Sequence, residues 1–442
     1  MSFDCPWYES AVFYQIAPLG LCGAPHQNDG EGAAVCRIAK LKSWAGHIAA
    51  LGADAVYLLP VFESDSHGYD TRDYTRLDRR LGDNADLAQL CAEFHAQGIR
   101  VVLDGVFNHV GRGFWAFRDL RQNRQNSRYA GWFKVSFEGD SPYHDGFWYE
   151  GWEGHYELVR LNLDNPEVVD YLLSCVGGWI DSFGIDGLRL DVAYLLPEQF
   201  LRRLRAFCDG KKADFFLAGE CIHGDYNRLL APGLLHSVTN YECYKGLYSS
   251  LNSANLFEIA HSLARQFGPE PWTVYRGRHL FNFVDNHDVS RIASILSDRR
   301  QLPCAFGLLF AMPGIPCIYY GSEWGAPGDK AAGDDALRPA FDAPREDGCV
   351  PLIAALARAH RQSRALVQGG YRNLLIAPKQ LVFEREAAGE RVLVAVNADA
   401  APVTLHFDAR AGRAVDLVTG APHDFGGGSE LPPFSVAYWK TE

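Results

Sequence analysis

Residues 184–193, GIDGLRLDVA, place an arginine and an aspartate inside a run that otherwise has the pattern of a buried strand. Because successive side chains of a strand point to opposite faces, Arg189 and Asp191 share one face while Leu188 and Leu190 lie on the other. Burying an isolated charge is costly, so Asp191 stays ionised there only if Arg189 or another cation compensates it. The pair is either a structural ion pair that fixes the strand register or part of a reactive site.

Polar side chains also occur at the ends of other apolar runs, in the motifs DGVFNH, LAGE and FVDNHD. If these runs belong to one sheet, three carboxylates converge, and like charges at short range raise the pKa of one of them. A protonated acid beside an anion is the pair that glycosidic cleavage requires, because one group protonates the leaving oxygen and the other attacks or stabilises the anomeric carbon. The candidate residues are Asp104, Asn108, His109, Arg189, Asp191, Glu220, His287 and Asp288.

Eight short apolar runs alternate with stretches of helical period between residue 11 and about residue 370. This alternation is typical of βα units around a parallel sheet, and eight such units closed on themselves form an α/β fold, the (β/α)8 barrel. The active site of such a barrel lies at the C-terminal ends of the strands, where the polar residues occur. The predicted strands cover residues 11–18, 55–61, 100–106, 187–193, 215–220, 237–240, 279–286 and 317–323.

About fifty residues separate the third strand from its helix, and this insertion is rich in aromatic residues such as Trp115, Trp148 and Trp152. Connections of that length are usually functional, so we expect an inserted domain. Its rings either form the core of that small domain or line a cleft, where they would stack on the apolar faces of sugars. Alternating strands near the C-terminus predict an antiparallel β-sandwich. The predicted domains are the barrel (1–109 and 162–370), the inserted domain (110–161) and the C-terminal domain (371–442).

Composition narrows the classes of partner. The chain has 442 residues, of which 48% are hydrophobic, and a formal net charge of −12 at pH 7, so we expect no nucleic-acid partner. The N-terminal MSFDCPWYES lacks the pattern of a secretory signal, and no apolar run has the length of a membrane span. Eleven scattered cysteines without C-x-x-C pairs favour reduced thiols. These features predict a cytoplasmic protein without a membrane partner.

The stretches DGVFNH, GLRLDVA, LAGE and FVDNHD, in this order, resemble the signature regions of the α-amylase family, glycoside hydrolase family thirteen. The resemblance covers nearly the whole chain, including GYDTRDY at 68–74 and PGIPCIYYGSE at 313–323. It implies that Asp191 is a nucleophile that forms a covalent glycosyl-enzyme and that Glu220 is the general acid and then the base. It also implies contacts to the sugar, or to these two groups, from Asp288, Tyr69, His109, Arg189, His287, Asp334 and Arg338.

Residues 152–168 resemble the corresponding region of cyclomaltodextrinases, neopullulanases and maltogenic amylases, which are intracellular enzymes that act on short maltodextrins. The resemblance implies a retaining α-glucoside hydrolase for malto-oligosaccharides, cyclodextrins or starch-derived dextrins, without an organic cofactor. Those enzymes usually carry an N-terminal β-domain that helps them to dimerise, whereas this sequence begins about ten residues before its first predicted strand. They also tend to have an Asn-Glu pair where this sequence has Tyr194 and Leu195. A homodimer and the specificity for the acceptor sugar therefore stay open.

Arg160 stands where the calcium-dependent amylases of the family have an aspartate, although Asn108 matches another ligand of their calcium ion. Calcium takes oxygen ligands, so a guanidinium in place of a carboxylate argues against calcium at this position. We expect Arg160 to pair with Asp104 or another acid instead, and we predict no metal site.

Three alternatives use the same residues. A glucanotransferase would keep the triad of carboxylates, because an acceptor sugar and water compete for one intermediate. A catalytically silent barrel would only bind carbohydrate, although this chain retains all three carboxylates. A metal-dependent barrel isomerase would use His109, Asp191, Glu220 and His287 as ligands. The sequence does not determine chain-length preference or the choice between α-1,4 and α-1,6 linkages.

Overall fold

Eight parallel strands form the centre of the protein in a computed structural model that describes residues 4–442. The strands are β1 (Phe13–Ile16), β2 (Ala55–Leu58), β3 (Arg100–Gly105), β4 (Gly187–Leu190), β5 (Phe216–Gly219), β6 (Ser237–Val238), β7 (Phe281–Phe283) and β8 (Ile315–Tyr319). Hydrogen bonding orders them β6-β5-β4-β3-β2-β1-β8-β7. A parallel bridge between Thr239, directly after β6, and Phe281 of β7 brings the two edge strands together, which confirms the predicted barrel.

The eight predicted strands are all present, but every predicted range runs past the observed end of its strand, and for two strands the backbone shows the cause. β4 stops at Leu190 rather than at residue 193, because Val192 adopts the left-handed angles φ +40° and ψ +45°. β8 covers residues 315–319 rather than 317–323, because Gly321 has φ +89° and a 3-10 helix follows at Ser322–Trp324. Neither set of angles continues an extended strand.

Helices surround the barrel and connect its strands. The longest, Pro166–Phe183, begins after Asn165, whose side chain accepts a hydrogen bond from the Glu167 N–H, and ends at Gly184 with φ +68°. An asparagine cap, a proline in the first turn and a terminal glycine are common at helix ends. The other α-helices are Trp7–Ser10, Pro18–Leu21, Ala45–Ala50, Asn84–Ala96, Trp115–Asn123, Glu198–Lys211, Tyr241–Asn252, Phe257–Phe267, Ile292–Ile295, Leu302–Ala311, Val350–Gln362 and Arg364–Gln368.

The insertion after β3 contains two small antiparallel sheets. One consists of His109–Gly111, His155–Arg160 and Gly151–Trp152, and the other pairs Val135–Ser136 with Trp148–Tyr149. Most of its aromatic rings form a packed core, which is one of the two expected arrangements, and the buried ones include Phe114, Phe117, Trp132, Phe147 and Tyr149. The strand His109–Gly111 crosses the proposed limit between residues 109 and 110. The limits of all three domains stay predictions, and the first three residues of the barrel domain lie outside the described part.

The C-terminal part forms a six-stranded antiparallel sheet and a separate two-stranded pair, with a small apolar core that includes Leu393 and Trp439. Several hydrogen bonds join this part to the barrel, among them those from the Tyr438 hydroxyl to the Gly307 carbonyl and from Arg385 Nη1 to the Ala311 carbonyl. The strands are Gly370–Ile376, Gln380–Ala387, Glu390–Asn397, Val403–Leu405, Arg413–Asp416, Pro422–Asp424, Ser429–Leu431 and Ser435–Thr441.

No helix within residues 4–442 is both long and apolar enough to cross a membrane. All eleven cysteines of the chain are free, and eight of them are buried.

Candidate active site

Arg189 lies at the centre of the C-terminal end of the barrel, on β4 and in register with Asp104 of β3. Its Nη1 donates to Asp104 Oδ1 at 3.0 Å and to Asp191 Oδ1 at 2.9 Å. Its Nη2 lies 2.8 Å from Glu220 Oε1. All four side chains are buried. One guanidinium therefore serves three carboxylates, two of which are the predicted nucleophile and the predicted acid.

One positive charge does not neutralise three neighbouring carboxylates. Burial raises the pKa of Asp191 well above its usual range, and although Arg189 opposes this rise, the charge of Glu220 adds to it. Burial also raises the pKa of Glu220, again against the effect of Arg189, and Asp288 contributes to the rise. The cluster therefore holds a proton at a pH where exposed carboxyl groups have lost theirs.

The interruption that ends β4 early also orients Glu220. Ladder hydrogen bonds continue one residue past each strand end, from the Asp191 N–H to Gly105 and from the Glu220 N–H to Leu190. The left-handed backbone of Val192 then aims its N–H at Glu220 Oε2, at 3.0 Å. Left-handed angles are unfavourable for a β-branched residue, and strain of this kind is found at functional sites.

A chain of hydrogen bonds crosses the barrel mouth from β1 to Asp104. Gln15 Nε2 lies 3.0 Å from His287 Nδ1, and His287 Nε2 lies 2.5 Å from the Tyr69 hydroxyl. The hydroxyls of Tyr69 and Tyr57 donate to Asp104 Oδ2 at 3.1 and 2.8 Å. Burial, together with the nearby Arg338, lowers the pKa of His287 well below its usual range, so this ring is a neutral hydrogen-bonding group.

Asp288 lies on the open side of the cluster, where its side chain is 35% exposed. Its Oδ2 is 3.0 Å from His287 Nε2, and its Oδ1 is 3.5 Å from Arg338 Nη2. The same Nη2 is 3.5 Å from Asp334, whereas the neighbouring Asp335 faces His26. Asp334 is half exposed and also pairs with Lys330. The structure thus brings Asp288 and Arg338 to the site and leaves Asp334 at its rim.

His109 lies beside Asp191, with 3.9 Å between Nε2 and Oδ2. Burial lowers the pKa of His109 to about 3, so its ring is neutral, and Nε2 has no hydrogen-bond partner within the described residues. The ring of Trp152, from the insertion, lies 5.7 Å from that of His109. Of the three tryptophans predicted to form the core or line a cleft, Trp152 is the one beside these site residues.

The residues around Arg160 do not fit a calcium ion. Arg160 forms an ion pair with Glu150, an acid other than Asp104, which is occupied by Arg189. The Asn108 side-chain amide lies 3.2 Å from His109 Nδ1. A guanidinium and an amide engaged in this way do not provide the oxygen cage that calcium requires.

A metal-ligand set of His109, Asp191, Glu220 and His287 does not fit the geometry either. Both ring nitrogens of His287 are engaged with Gln15 and Tyr69, and the Arg189 guanidinium bridges Asp191 and Glu220. Within residues 4–442 no group of three or more His, Cys, Asp or Glu side chains has an arrangement that would hold a metal.

Three contributors were missed from the sequence: Gln15, Tyr57 and the Val192 N–H. Gln15 had a signal, because it is the one strongly polar residue in the predicted strand 11–18 and stands out there as Arg189 does in its own strand. Tyr57 had none, since a tyrosine in an apolar strand is ordinary core. The Val192 contact depends on a backbone angle that residue type does not indicate.

Similarity to known proteins extends over most of the chain. The family model "Alpha amylase, catalytic domain" matches residues 38–349, and "Maltogenic Amylase, C-terminal domain" matches residues 375–439. A cyclomaltodextrinase from a Bacillus species is 30% identical over 424 residues, covering 90% of this chain and 74% of that protein. An intracellular maltogenic amylase of Bacillus subtilis is 30% identical over 351 residues, covering 74% of this chain and 58% of that one.

Among solved structures, cyclic α-maltosyl-(1→6)-maltose hydrolase from Arthrobacter globiformis superposes with a TM-score of 0.82 at 28% identity, over 99% of this chain and all of that chain. The two family models cover most of the barrel and of the C-terminal domain, and the sequence similarity extends over nine-tenths of the chain. The chain therefore belongs to the α-amylase family, glycoside hydrolase family thirteen, as a hydrolase of the cyclomaltodextrinase and maltogenic amylase type.

Proposed function

We propose that the protein is a retaining α-glucoside hydrolase that cleaves α-1,4-glucosidic bonds of malto-oligosaccharides, cyclodextrins or starch-derived dextrins. The observation that carries the proposal is the bridge from Asp191 through adjacent nitrogens of Arg189 to Glu220. Two carboxylates that share one guanidinium lie close together, which favours direct attack over the wider spacing that an inverting enzyme needs for a water molecule.

In the first step, Glu220 gives its proton to the glycosidic oxygen while an Asp191 oxygen bonds to the anomeric carbon and the bond to the leaving sugar breaks. The proton of the cluster lies on Glu220 in this step, and Arg189, 2.9 Å from Asp191 Oδ1, favours the ionised form of Asp191 against the effect of burial. In the second step, Glu220 takes a proton from water, the water oxygen bonds to the anomeric carbon, and Asp191 leaves. The sugar emerges with its original anomeric configuration.

The remaining groups bind the sugar at the cleavage point. Asp288 accepts hydrogen bonds from its hydroxyls, and Arg338 donates to them. His109 contacts them through Nε2, which has no other partner among the described residues, and His287 does so once the sugar displaces the Tyr69 hydroxyl from its Nε2. The ring of Tyr69 stacks on the sugar face. Asp334 supports Arg338 from the rim. No residue of this set requires a metal or an organic cofactor for these steps.

The choice of acceptor is the second part of the proposal. Water is the acceptor in a hydrolase, and a sugar hydroxyl is the acceptor in a glucanotransferase. The names of the similar proteins, a cyclomaltodextrinase and a cyclic maltosyl-maltose hydrolase, support hydrolysis of short or cyclic α-glucans. The unpaired cysteines and the similarity to an intracellular maltogenic amylase support the cytoplasm as its location.

Nuclear magnetic resonance of the first products from maltoheptaose tests the mechanism, with β-cyclodextrin and pullulan run in parallel for linkage. We expect the α-anomer to form first, and a β-anomer would contradict the proposal. Glucose and maltose as end products from concentrated maltotriose indicate hydrolysis, whereas longer oligomers indicate transfer.

The variant Glu220→Gln tests the role of the acid independently of the nucleophile. The variant should lose at least about 10³-fold in kcat on maltoheptaose but keep the first step on α-maltosyl fluoride, because fluoride leaves without a proton. Equal losses on both substrates would contradict the role of Glu220. Asp186→Asn, at the other end of β4, is the matched control and should cleave both substrates normally.

A further inference from the structure

Arg291 is fully buried and has no carboxylate partner among the described residues. It lies three residues after Asp288, in the segment that joins β7 to the helix Ile292–Ile295. Its Nη1 donates to the Tyr320 carbonyl at 2.7 Å, and its Nη2 donates to the Leu337 carbonyl at 2.9 Å. A guanidinium is costly to bury, and here its charge is used to hold backbone oxygens of another segment.

The carbonyl groups on both sides of Arg338 are fixed by this arrangement. The Leu337 carbonyl accepts from Arg291 and also from the Tyr319 hydroxyl, at 2.9 Å from each. The Pro339 carbonyl accepts from the Tyr320 hydroxyl at 2.8 Å. The guanidinium of Arg291 stacks on the rings of the same two tyrosines, 4.5 and 5.1 Å from their centroids.

The chain after β1 closes the other side of Arg338. A Cβ atom on Gly20 would lie 2.0 Å from the Arg338 carbonyl oxygen, so a glycine is needed for this approach. With its backbone held on both sides, Arg338 directs Nη2 to 3.5 Å from Asp288 Oδ1, and both Nε and Nη2 lie 3.4 Å from the His287 carbonyl.

Arg291 also secures the loop that carries Asp288. Its own N–H donates to the Gly328 carbonyl at 2.8 Å. The next N–H, of Ile292, donates to Asp285 Oδ2 at 2.7 Å, which closes residues 286–291 into a short loop. Asp285 is fully buried and accepts from the Ser322 hydroxyl as well. The loop that presents Asp288 and the segment that presents Arg338 therefore meet at one side chain.

We propose that Arg291 is a positioning residue that sets the distance between Asp288 and Arg338. Arg291 does not touch the sugar, and it acts through the Leu337 carbonyl and the loop 286–291. The inference rests on the proposed function, because that function gives Asp288 and Arg338 their role at the cleavage point. Removing the two carbonyl hydrogen bonds of Arg291 frees the two segments to move apart.

Arg291→Met removes the donors and keeps the volume of the aliphatic stem, and Arg291→Lys keeps the charge but not the planar fork. The matched control is Arg385→Met. Arg385 is also fully buried, and its guanidinium also donates to backbone carbonyls, those of Ala311, Gly369 and Gly370, at the junction with the C-terminal sheet. Both methionine variants should lower Tm, and Arg291→Lys replaces Arg291→Met if the latter does not fold.

Kinetics are measured at a temperature where circular dichroism shows every variant to be folded. Arg291→Met should lower kcat/KM on maltotriose by about 10²-fold, the loss expected when a binding group moves by about 1 Å, while Arg385→Met stays within about threefold of the wild type. In a protein that already carries Asp288→Asn, Arg291→Met should lower kcat/KM only slightly further, because the carboxylate that Arg291 positions is absent. Equal losses in both arginine variants, or full additivity with Asp288→Asn, would overturn the inference.

Crystal structures of the wild type and of both methionine variants test the inference independently of enzyme activity. The separation between Asp288 Oδ1 and Arg338 Nη2, 3.5 Å in the wild type, should increase in Arg291→Met and stay unchanged in Arg385→Met. An unchanged separation in Arg291→Met would overturn the inference. If the wild-type protein does not cleave malto-oligosaccharides, the proposed function fails by itself, and this structural comparison still stands.

Discussion

Asp186 and Asp191 flank the same strand, β4, and both are buried, yet they have opposite electrostatic surroundings. Asp186, at the start of the strand, accepts hydrogen bonds from His95 at 2.8 Å and Lys212 at 3.0 Å, and it lies 3.3 Å from Arg100. Asp191, at the end of the strand, shares its one cation with two other carboxylates.

The pKa values of the two groups follow the number of donors rather than the depth of burial. Burial alone would raise the pKa of Asp186, but the hydrogen bonds from His95, the Val101 N–H and Lys212 lower it to about 2. Burial raises the pKa of Asp191, and the effect of Arg189 does not cancel the rise. A buried carboxylate with an excess of cations is a structural anchor, whereas one that shares its cation can exchange protons and react.

The largest effect is expected from Asp191→Asn, which removes the nucleophile and changes little volume. Turnover of maltoheptaose should fall by at least about 10⁴-fold, because no covalent intermediate can form. Initial rates and melting curves are the measurements. Asp186→Asn is the matched control at the other end of β4 and should keep kcat within about twofold. Activity retained in Asp191→Asn would remove the functional contrast between the two aspartates.

Arg189→Lys removes the planar group that contacts Asp104, Asp191 and Glu220 at the C-terminal end of β4. An ammonium cannot hold three carboxylates as the planar guanidinium does, so the pKa of Asp191 should rise further. Since Asp191 must be ionised to attack, the acid limb of the kcat/KM profile should move to higher pH, and kcat should fall by about 10²-fold. A pH profile identical to that of the wild type would contradict the role given to Arg189.

Asp186, at the start of β4, should contribute to the free energy of unfolding in a way that depends on pH. The pKa of Asp186 falls from 3.8 to about 2 on folding, so its contribution to the free energy of unfolding is present above about pH 4 and is lost as the pH falls towards 2. The contribution amounts to about 2 kcal/mol. Urea unfolding between pH 6 and pH 2 should show a steeper acid decline in the wild type than in Asp186→Asn.

The smallest effect is expected from chelation. The cations that neutralise Asp186 and Asp191 are side chains. Arg160, at the position where the resemblance places a calcium ligand, forms an ion pair with Glu150 instead. Treatment with EDTA should therefore leave Tm and initial rates unchanged. A large loss of either, restored by added calcium, would show that an ion contributes to the site.

Sequence patterns predicted much of the fold because they depend on neighbouring residues. Periods of two and 3.6 residues predicted the eight strands and the helical stretches that alternate with them. The contact between Arg189 and Asp191 also followed from strand alternation. The predicted end of β4 was wrong because nothing in the residue type of Val192 indicates its left-handed backbone angles.

The part of the site that could not be predicted comes from contacts between distant segments. Gln15 contacts His287, 272 positions further along the chain, and Tyr57 contacts Asp104, 47 positions away. Arg291 reaches Leu337 across 46 positions. No local period encodes these pairs, since they form only when β1 lies beside β8 and near β7, β2 pairs with β3, and the segments after β7 and β8 meet.

The sequence by itself determined which side chains carry charge at the strand ends and that Arg189 and Asp191 share one face, because alternation along a strand is a local property of the backbone. Only the tertiary structure decided how many carboxylates share the Arg189 guanidinium, which donor reaches each oxygen of Glu220, and which arginine joins the loops of Asp288 and Arg338. These features depend on distances between strands that meet only when the barrel forms, and electrostatic energies vary steeply with those distances.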